Sequence, residues 1–173
     1  MADWGDLIKQ MKLDMKKDEV RCYRALRGNF DGTFLLRMAP NVKPQNFKFI
    51  LFIFLKEQKD EKATIIDNSY SLGVSWRITK YGALNDDQFA FHIFTDHSTS
   101  KVFNMNRDRW NFLQGEVNTR QNKLTLIVND SGPMTENITG VIKYPLTTEL
   151  TLGGNKAGCF FIGEICYYGL WDL

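Results

Sequence analysis

The spacing of apolar positions changes character near residue 19. Between Asp3 and Lys17 the residues Trp4, Leu7, Ile8, Met11 and Met15 recur at steps of three or four, one stripe of an amphipathic helix. Asp3 supplies an N-cap, and Lys9, Lys12, Lys16 and Lys17 fill the polar side, the last of them where a cation suits the helix dipole. From Val20 onward the period falls to two. In Leu124-Thr125-Leu126-Ile127-Val128 the residues Leu124, Leu126 and Val128 share a face. In Phe89 to Phe94 the residues Phe89, Phe91 and Ile93 share one face, and His92 and Phe94 take the other.

Further short runs are predicted as strands at Val20–Leu26, Thr33–Met38, Phe47–Leu55, Ala63–Ile66, Tyr70–Thr79, Gln88–Thr95, Lys101–Asn106, Arg109–Val117, Lys123–Asn129, Gly140–Tyr144, Glu149–Leu152 and Phe160–Trp171. Arg27 to Gly32 reads as a turn, Ala39 to Pro44 as a break and Lys56 to Lys62 as a charged link. Many short strands without intervening helices predict an all-β, two-sheet antiparallel sandwich behind a short N-terminal helix. The expected division is 1–18 for the helix and 19–173 for the sandwich.

Resemblance to a known fold superfamily enters through the C-terminal third. Trp110-Asn111-Phe112-Leu113 leads to Lys123–Asp130, then to Leu150-Thr151-Leu152-Gly153-Gly154, then to Phe161-Ile162-Gly163-Glu164-Ile165 and Leu170-Trp171-Asp172-Leu173. This order is similar to the laminin G and pentraxin pattern of the concanavalin A-like lectin/glucanase superfamily. The resemblance implies a jelly-roll sandwich. The markers that carry it are core and turn residues and do not specify a ligand.

The family's chemical sites carry over poorly. Its glucanases place alternating carboxylates on one strand, because glycoside hydrolysis needs two carboxyls roughly 5–9 Å apart. The chain has no such triplet, since Asp86 and Asp87 are adjacent and would face opposite sides. The expectation is therefore a protein without catalytic residues. Pentraxins hold calcium through an Asp-Asn pair and a later acidic loop. Asp67-Asn68 echoes the first, but Gly153 to Gly158 brings Lys156 where carboxylates belong. Galectins use His-x-Asn-x-Arg, whereas His92, Phe94 and Asp96 alternate here without the Asn or the Arg. Neither a metal nor a cofactor is expected.

Three functions remain open at this stage, an enzyme being the least favoured, and two of them lead. One is a non-catalytic glycan-binding module, its partner a glycan or glycoprotein, with Trp76, Arg77, Tyr81, Asn85, Asp86, His92 and Asp96 as the ligand-binding candidates on adjacent strands and their loop. The other is a protein-interaction or assembly module, viral or intracellular, docking or forming homo-oligomers through the sandwich and the helix.

Composition narrows the partners further. Twenty-two basic and 20 acidic residues leave a net charge of +2 with no long basic block, so nucleic acid is not implied. The longest apolar stretch, Phe49 to Leu55, is far short of the ~18 residues of a membrane span. Met1 to Glu19 does not read as a secretory signal. Three cysteines, Cys22, Cys159 and Cys166, fit no zinc spacing and are read as free core thiols, which leans towards an intracellular, reducing compartment. Two sequons, at Asn129 and Asn137, point the other way.

Overall fold

A computed structural model describes residues 4–17, 26–68 and 74–172. Helix α1 (Trp4–Lys16) precedes twelve strands: β1 (Leu26–Asp31), β2 (Leu36–Pro40), β3 (Asn46–Leu55), β4 (Thr64–Asp67), β5 (Trp76–Lys80), β6 (Gln88–Phe94), β7 (Ser98–Asn104), β8 (Trp110–Asn118), β9 (Lys123–Val128), β10 (Met134–Asn137), β11 (Glu149–Leu152) and β12 (Ile162–Asp172). They form two six-stranded sheets, ordered β1-β12-β3-β8-β9-β10 and β2-β11-β4-β5-β6-β7. Every pairing is antiparallel, and the chain passes repeatedly from one sheet to the other.

Strand β3 explains the layering. Its odd residues Phe47, Phe49, Leu51, Ile53 and Leu55 point between the sheets, where they meet Trp76, Ile78, Phe89, Phe91 and Ile93 of the second sheet. Its even residues Ile50 and Phe52 point away from that core and join Phe112, Cys166, Tyr168 and Met11 of α1. A strand buried on both faces reads as a continuous apolar run rather than an alternation, as Phe49 to Leu55 does. The helix thus covers the outer face of the first sheet. Met11 is fully buried there, with Leu7, Ile8 and Met15 packed around it.

Gly163 sits where the backbones of β12 and β3 approach closely. Its φ is 143°, and a Cβ on it would fall 2.1 Å from the Phe54 carbonyl oxygen of the neighbouring strand.

Several local expectations need correction. Arg27 to Asp31, read as a turn, is part of edge strand β1, paired residue by residue with Cys166 to Ile162 of β12. The polar residues that suggested a turn face solvent, while Gly28 and Phe30 alternate inward. Gly140–Tyr144 forms no strand; Ile142 alone among its apolar side chains is fully buried, while Val141 is 60% exposed. Strand β10 goes unpredicted because Met134 is the only apolar residue among its four. The expected run Val20–Leu26 lies almost wholly outside the described residues.

The expectation of free thiols fails at Cys166 and holds at Cys159. Cys166 is disulfide-bonded and fully buried, and Cys159 is free. Cys22 lies outside the described residues. A disulfide removes the support that free thiols lent to a reducing compartment.

Candidate functional site

Cross-strand register builds a polar line over the outer face of the second sheet. Arg37 pairs with Thr151, Thr151 with Asp67, Asp67 with Arg77, Arg77 with His92, and His92 with Ser100. Each lies opposite in phase to residues of the central core, so all six side chains project from the same face. The line crosses all six strands, five interstrand steps or roughly 24 Å.

At one end the line opens into a groove of about 410 Å³ bordered by Phe34, Arg37, Glu149, Thr151, Asn155 and Phe160. Arg37 and Glu149 form an ion pair at 3.3 Å. Thr151 Oγ1 donates to the Gly154 carbonyl at 2.7 Å, and Asn155 Nδ2 donates to Thr64 Oγ1 at 3.1 Å, so the loop after β11 is anchored to the sheet. Phe34 is 40% exposed and stacks on Phe30 with centroids 5.3 Å apart.

At the other end His92 Nδ1 lies 2.6 Å from Ser100 Oγ, and the Tyr81 ring stands 6.4 Å from the imidazole, centroid to centroid. Arg77 places its guanidinium over the Phe94 ring at 5.2 Å. Burial, with the Arg77 charge second, pushes the His92 pKa below its ordinary value.

The structure therefore divides the seven candidates. Arg77, Tyr81 and His92 come together on the outer face. Asn85 and Asp86 are exposed on the β5–β6 loop, next in the chain to Tyr81. Lys80 Nζ donates to the carbonyls of Ala83 and Asp86, and Arg107 donates to the Asn85 carbonyl and to Asp87 Oδ1, which fixes that loop. Asp96 belongs to the opposite end, beyond β6, where it pairs with Lys143 at 3.4 Å; β6 alone separates it from Asp86 by roughly 20 Å.

Trp76 corrects the expectation of an exposed sugar-stacking ring. It is fully buried, lies nearly parallel to Phe49 with centroids 5.6 Å apart, and touches Phe47 and Phe91 as well. Its partner across the sheet is Ile93, a core residue, so Trp76 must face inward. Sequence reasoning missed Phe34, Arg37, Asn155 and Phe160, which come from segments far apart in the chain.

Asp67 and Asn68 are buried, and Asn68 Nδ2 donates to the Val42 carbonyl at 2.7 Å, a structural use of the pair that echoed a calcium motif. Among the described residues no three of His, Cys, Asp and Glu gather as metal ligands.

No protein-family model matches the chain, and no curated protein matches it in sequence. Solved structures do match its fold. Domain 4 of a GH43 extracellular arabinanase from Geobacillus stearothermophilus, in complex with arabinotriose, aligns at TM-score 0.66 and 12% identity over 84% of this chain and 70% of that one. The LG4-5 domains of the mouse laminin alpha1 chain align at 0.61 and 16% identity, over 87% of this chain and 42% of that one. A native heptameric SAP-like pentraxin from Limulus polyphemus aligns at 0.59 and 13% identity over 88% and 78%. The fold is the concanavalin A-like jelly-roll sandwich, as the C-terminal sequence markers suggested.

Proposed function

We propose that this jelly-roll domain is a non-catalytic glycan-binding module whose sugar lies in the groove of the second sheet. The observation that supports this most directly is the groove itself. Two phenylalanine rings, Phe34 and Phe160, stand beside an ion pair and an anchored asparagine on a rigid sheet. Sugars present apolar C–H faces to rings and hydroxyls to fixed polar groups, and binding sites generally combine apolar walls with a few oriented hydrogen-bonding groups. Beyond the groove the polar line runs through the buried side chains of Asp67 and Arg77 to His92 and Tyr81, so the groove alone is the proposed seat of the sugar. The like-folded arabinanase domain in complex with arabinotriose is in keeping with this reading. The assembly reading has less support, because the apolar stripe of α1 is spent on the protein's own first sheet.

The test is a glycan array probed at high density with a multivalent display of the protein, beside Phe160→Ala and Arg37→Ala. Binding of at least one glycan class, weakened about tenfold or more by either substitution, is expected. Absence of binding across the array, or binding indifferent to both substitutions, overturns the reading.

A further inference from the structure

A second groove, larger than that of the sheet, lies between α1 and the end of the first sheet, with a volume of about 780 Å³. Three lysines of the helix, Lys9, Lys12 and Lys16, form one wall, and Arg109 stands on the other. Lys9 and Lys16 are seven positions apart, about 10 Å along the helix axis. None of these four cations takes part in an ion pair among the described residues. Lys12 Nζ sits 4.2 Å above the Phe112 ring, which holds that ammonium over the floor of the groove.

The far wall is built rather than loose. Asn111, fully buried, donates through Nδ2 to the carbonyls of Asn106 and Arg109 at 2.9 and 3.1 Å and accepts the Asn106 amide at 2.8 Å. Asn129 Nδ2 donates to Asn111 Oδ1 at 3.0 Å, and Asn129 Oδ1 accepts the Phe112 amide at 2.9 Å. These bonds hold the loop with Asp108 at a φ of 58° and the turn with Asn129 at 52°. Arg109, Asp108 and Asp130 therefore face the helix from a preorganised frame, which lowers the ordering cost of binding.

We infer that this groove binds an acidic oligosaccharide, a sugar chain bearing sulfate or carboxylate groups. Four cations attract the anionic groups, while the carboxylates of Asp108 and Asp130 accept hydrogen bonds from sugar hydroxyls. An acidic peptide offers many carboxylates and few hydroxyl donors, so the same two aspartates oppose it. Single-stranded nucleic acid needs open rings for base stacking, whereas Phe112 is 1% and Trp110 8% exposed. A bilayer needs an apolar helix face, and that of α1 is buried against the sheet. The site shares no residue with the sheet groove and does not depend on it.

The experiment measures binding of dextran sulfate, neutral dextran of equal length and poly-glutamate to the whole chain by calorimetry. It compares the wild type, the triple variant Lys9→Gln/Lys16→Gln/Arg109→Gln and Phe160→Ala. The three substituted groups are exposed, and an unchanged melting temperature verifies that the variants fold. Dextran sulfate is expected to bind the wild type, to weaken with added salt, to lose at least tenfold in affinity in the triple variant and to be unaffected by Phe160→Ala. Neutral dextran binding the Phe160→Ala variant as well as dextran sulfate does, poly-glutamate binding as well as dextran sulfate, or a triple variant of wild-type affinity each overturns the inference. A negative glycan array with intact dextran sulfate binding would sink the sheet groove alone.

Discussion

Lys101 on β7 reaches Glu136 on β10, Nζ to Oε1 at 3.1 Å, and so ties the free edge of one sheet to the free edge of the other. Both residues lie on the inner side of their strands, opposite Phe91 and Leu124 of the core. Charges on edge strands discourage edge-to-edge association, and here the two charges also close the open side of the sandwich. The side chains retain 24% and 41% exposure, so water screens the pair. A double-mutant cycle with Lys101→Ala and Glu136→Ala, followed by urea unfolding, should give a coupling energy of about 0.2–1 kcal/mol. Coupling indistinguishable from zero would mean that the edges are held by packing alone.

Trp76 is a matter of stability, not of ligand binding. Replacing a fully buried indole by alanine should cost about 3–5 kcal/mol through lost burial and a cavity among Phe47, Phe49 and Phe91. Its Nε1 has no hydrogen-bond partner, so Trp76→Phe deletes an unsatisfied donor along with part of the ring and should cost less than half as much. Urea unfolding of the two variants checks the order; equal losses would contradict it.

The contrast between Trp76 and His92 shows what the sequence could reveal. Alternation in β6 was legible, because Phe89, Phe91 and Ile93 announce their face and leave His92 on the other. Alternation also runs through Trp76-Arg77-Ile78, but a Trp and an Arg side by side are both plausible ligand groups. Only the register, Trp76 against Ile93 and Arg77 against His92, decides which turns inward. Register depends on the loop from Tyr81 to Asp87, whose geometry is fixed by Lys80 and Arg107 acting across the fold. The groove was illegible for the same reason: Phe34 and Phe160 meet only because β2 pairs with β11. The C-terminal markers, by contrast, are contiguous in the chain and could be read directly.

His92 makes stability depend on pH. Burial first, and the Arg77 charge second, lower its folded pKa below the ordinary 6.5. The unfolded state therefore binds the proton more readily, and between the unfolded and the folded pKa stability rises with pH. The protein should be less stable near pH 5 than near pH 7.5, and His92→Gln should flatten the part of that slope due to this residue. The neighbours that face the imidazole are Arg77, Ser100 and Tyr81. Urea unfolding at the two pH values checks it; an unchanged slope in the variant would show that other groups carry the dependence.

Cysteine chemistry should separate the thiols. Cys159 is free, and burial, reinforced by the Asp60 charge, raises its pKa. The thiolate is the reactive form, so alkylation near neutral pH should be slow. Unfolded under non-reducing conditions, the protein should take up one alkyl group, and after reduction three, one for each cysteine in the chain. Mass spectrometry counts them, and three labels without reduction would refute the Cys166 disulfide.

The two sequons should behave differently in a secretory host. Asn129 is engaged at both ends of its amide, with Nδ2 donating to Asn111 and Oδ1 accepting the Phe112 amide. A glycan on that nitrogen would displace a bond that frames the helix groove. Asn137 ends edge strand β10, and its side chain is exposed. When the chain is expressed through a secretory pathway, glycopeptide mapping should find modification at Asn137 and none at Asn129. Asn129→Ala should destabilise the fold by about 1–3 kcal/mol through the unpaired Phe112 amide and the loosened Asn111, whereas Asn137→Ala should fall within about 0.5 kcal/mol of wild type. Occupancy at Asn129 would show that the asparagine frame forms after glycosylation or not at all.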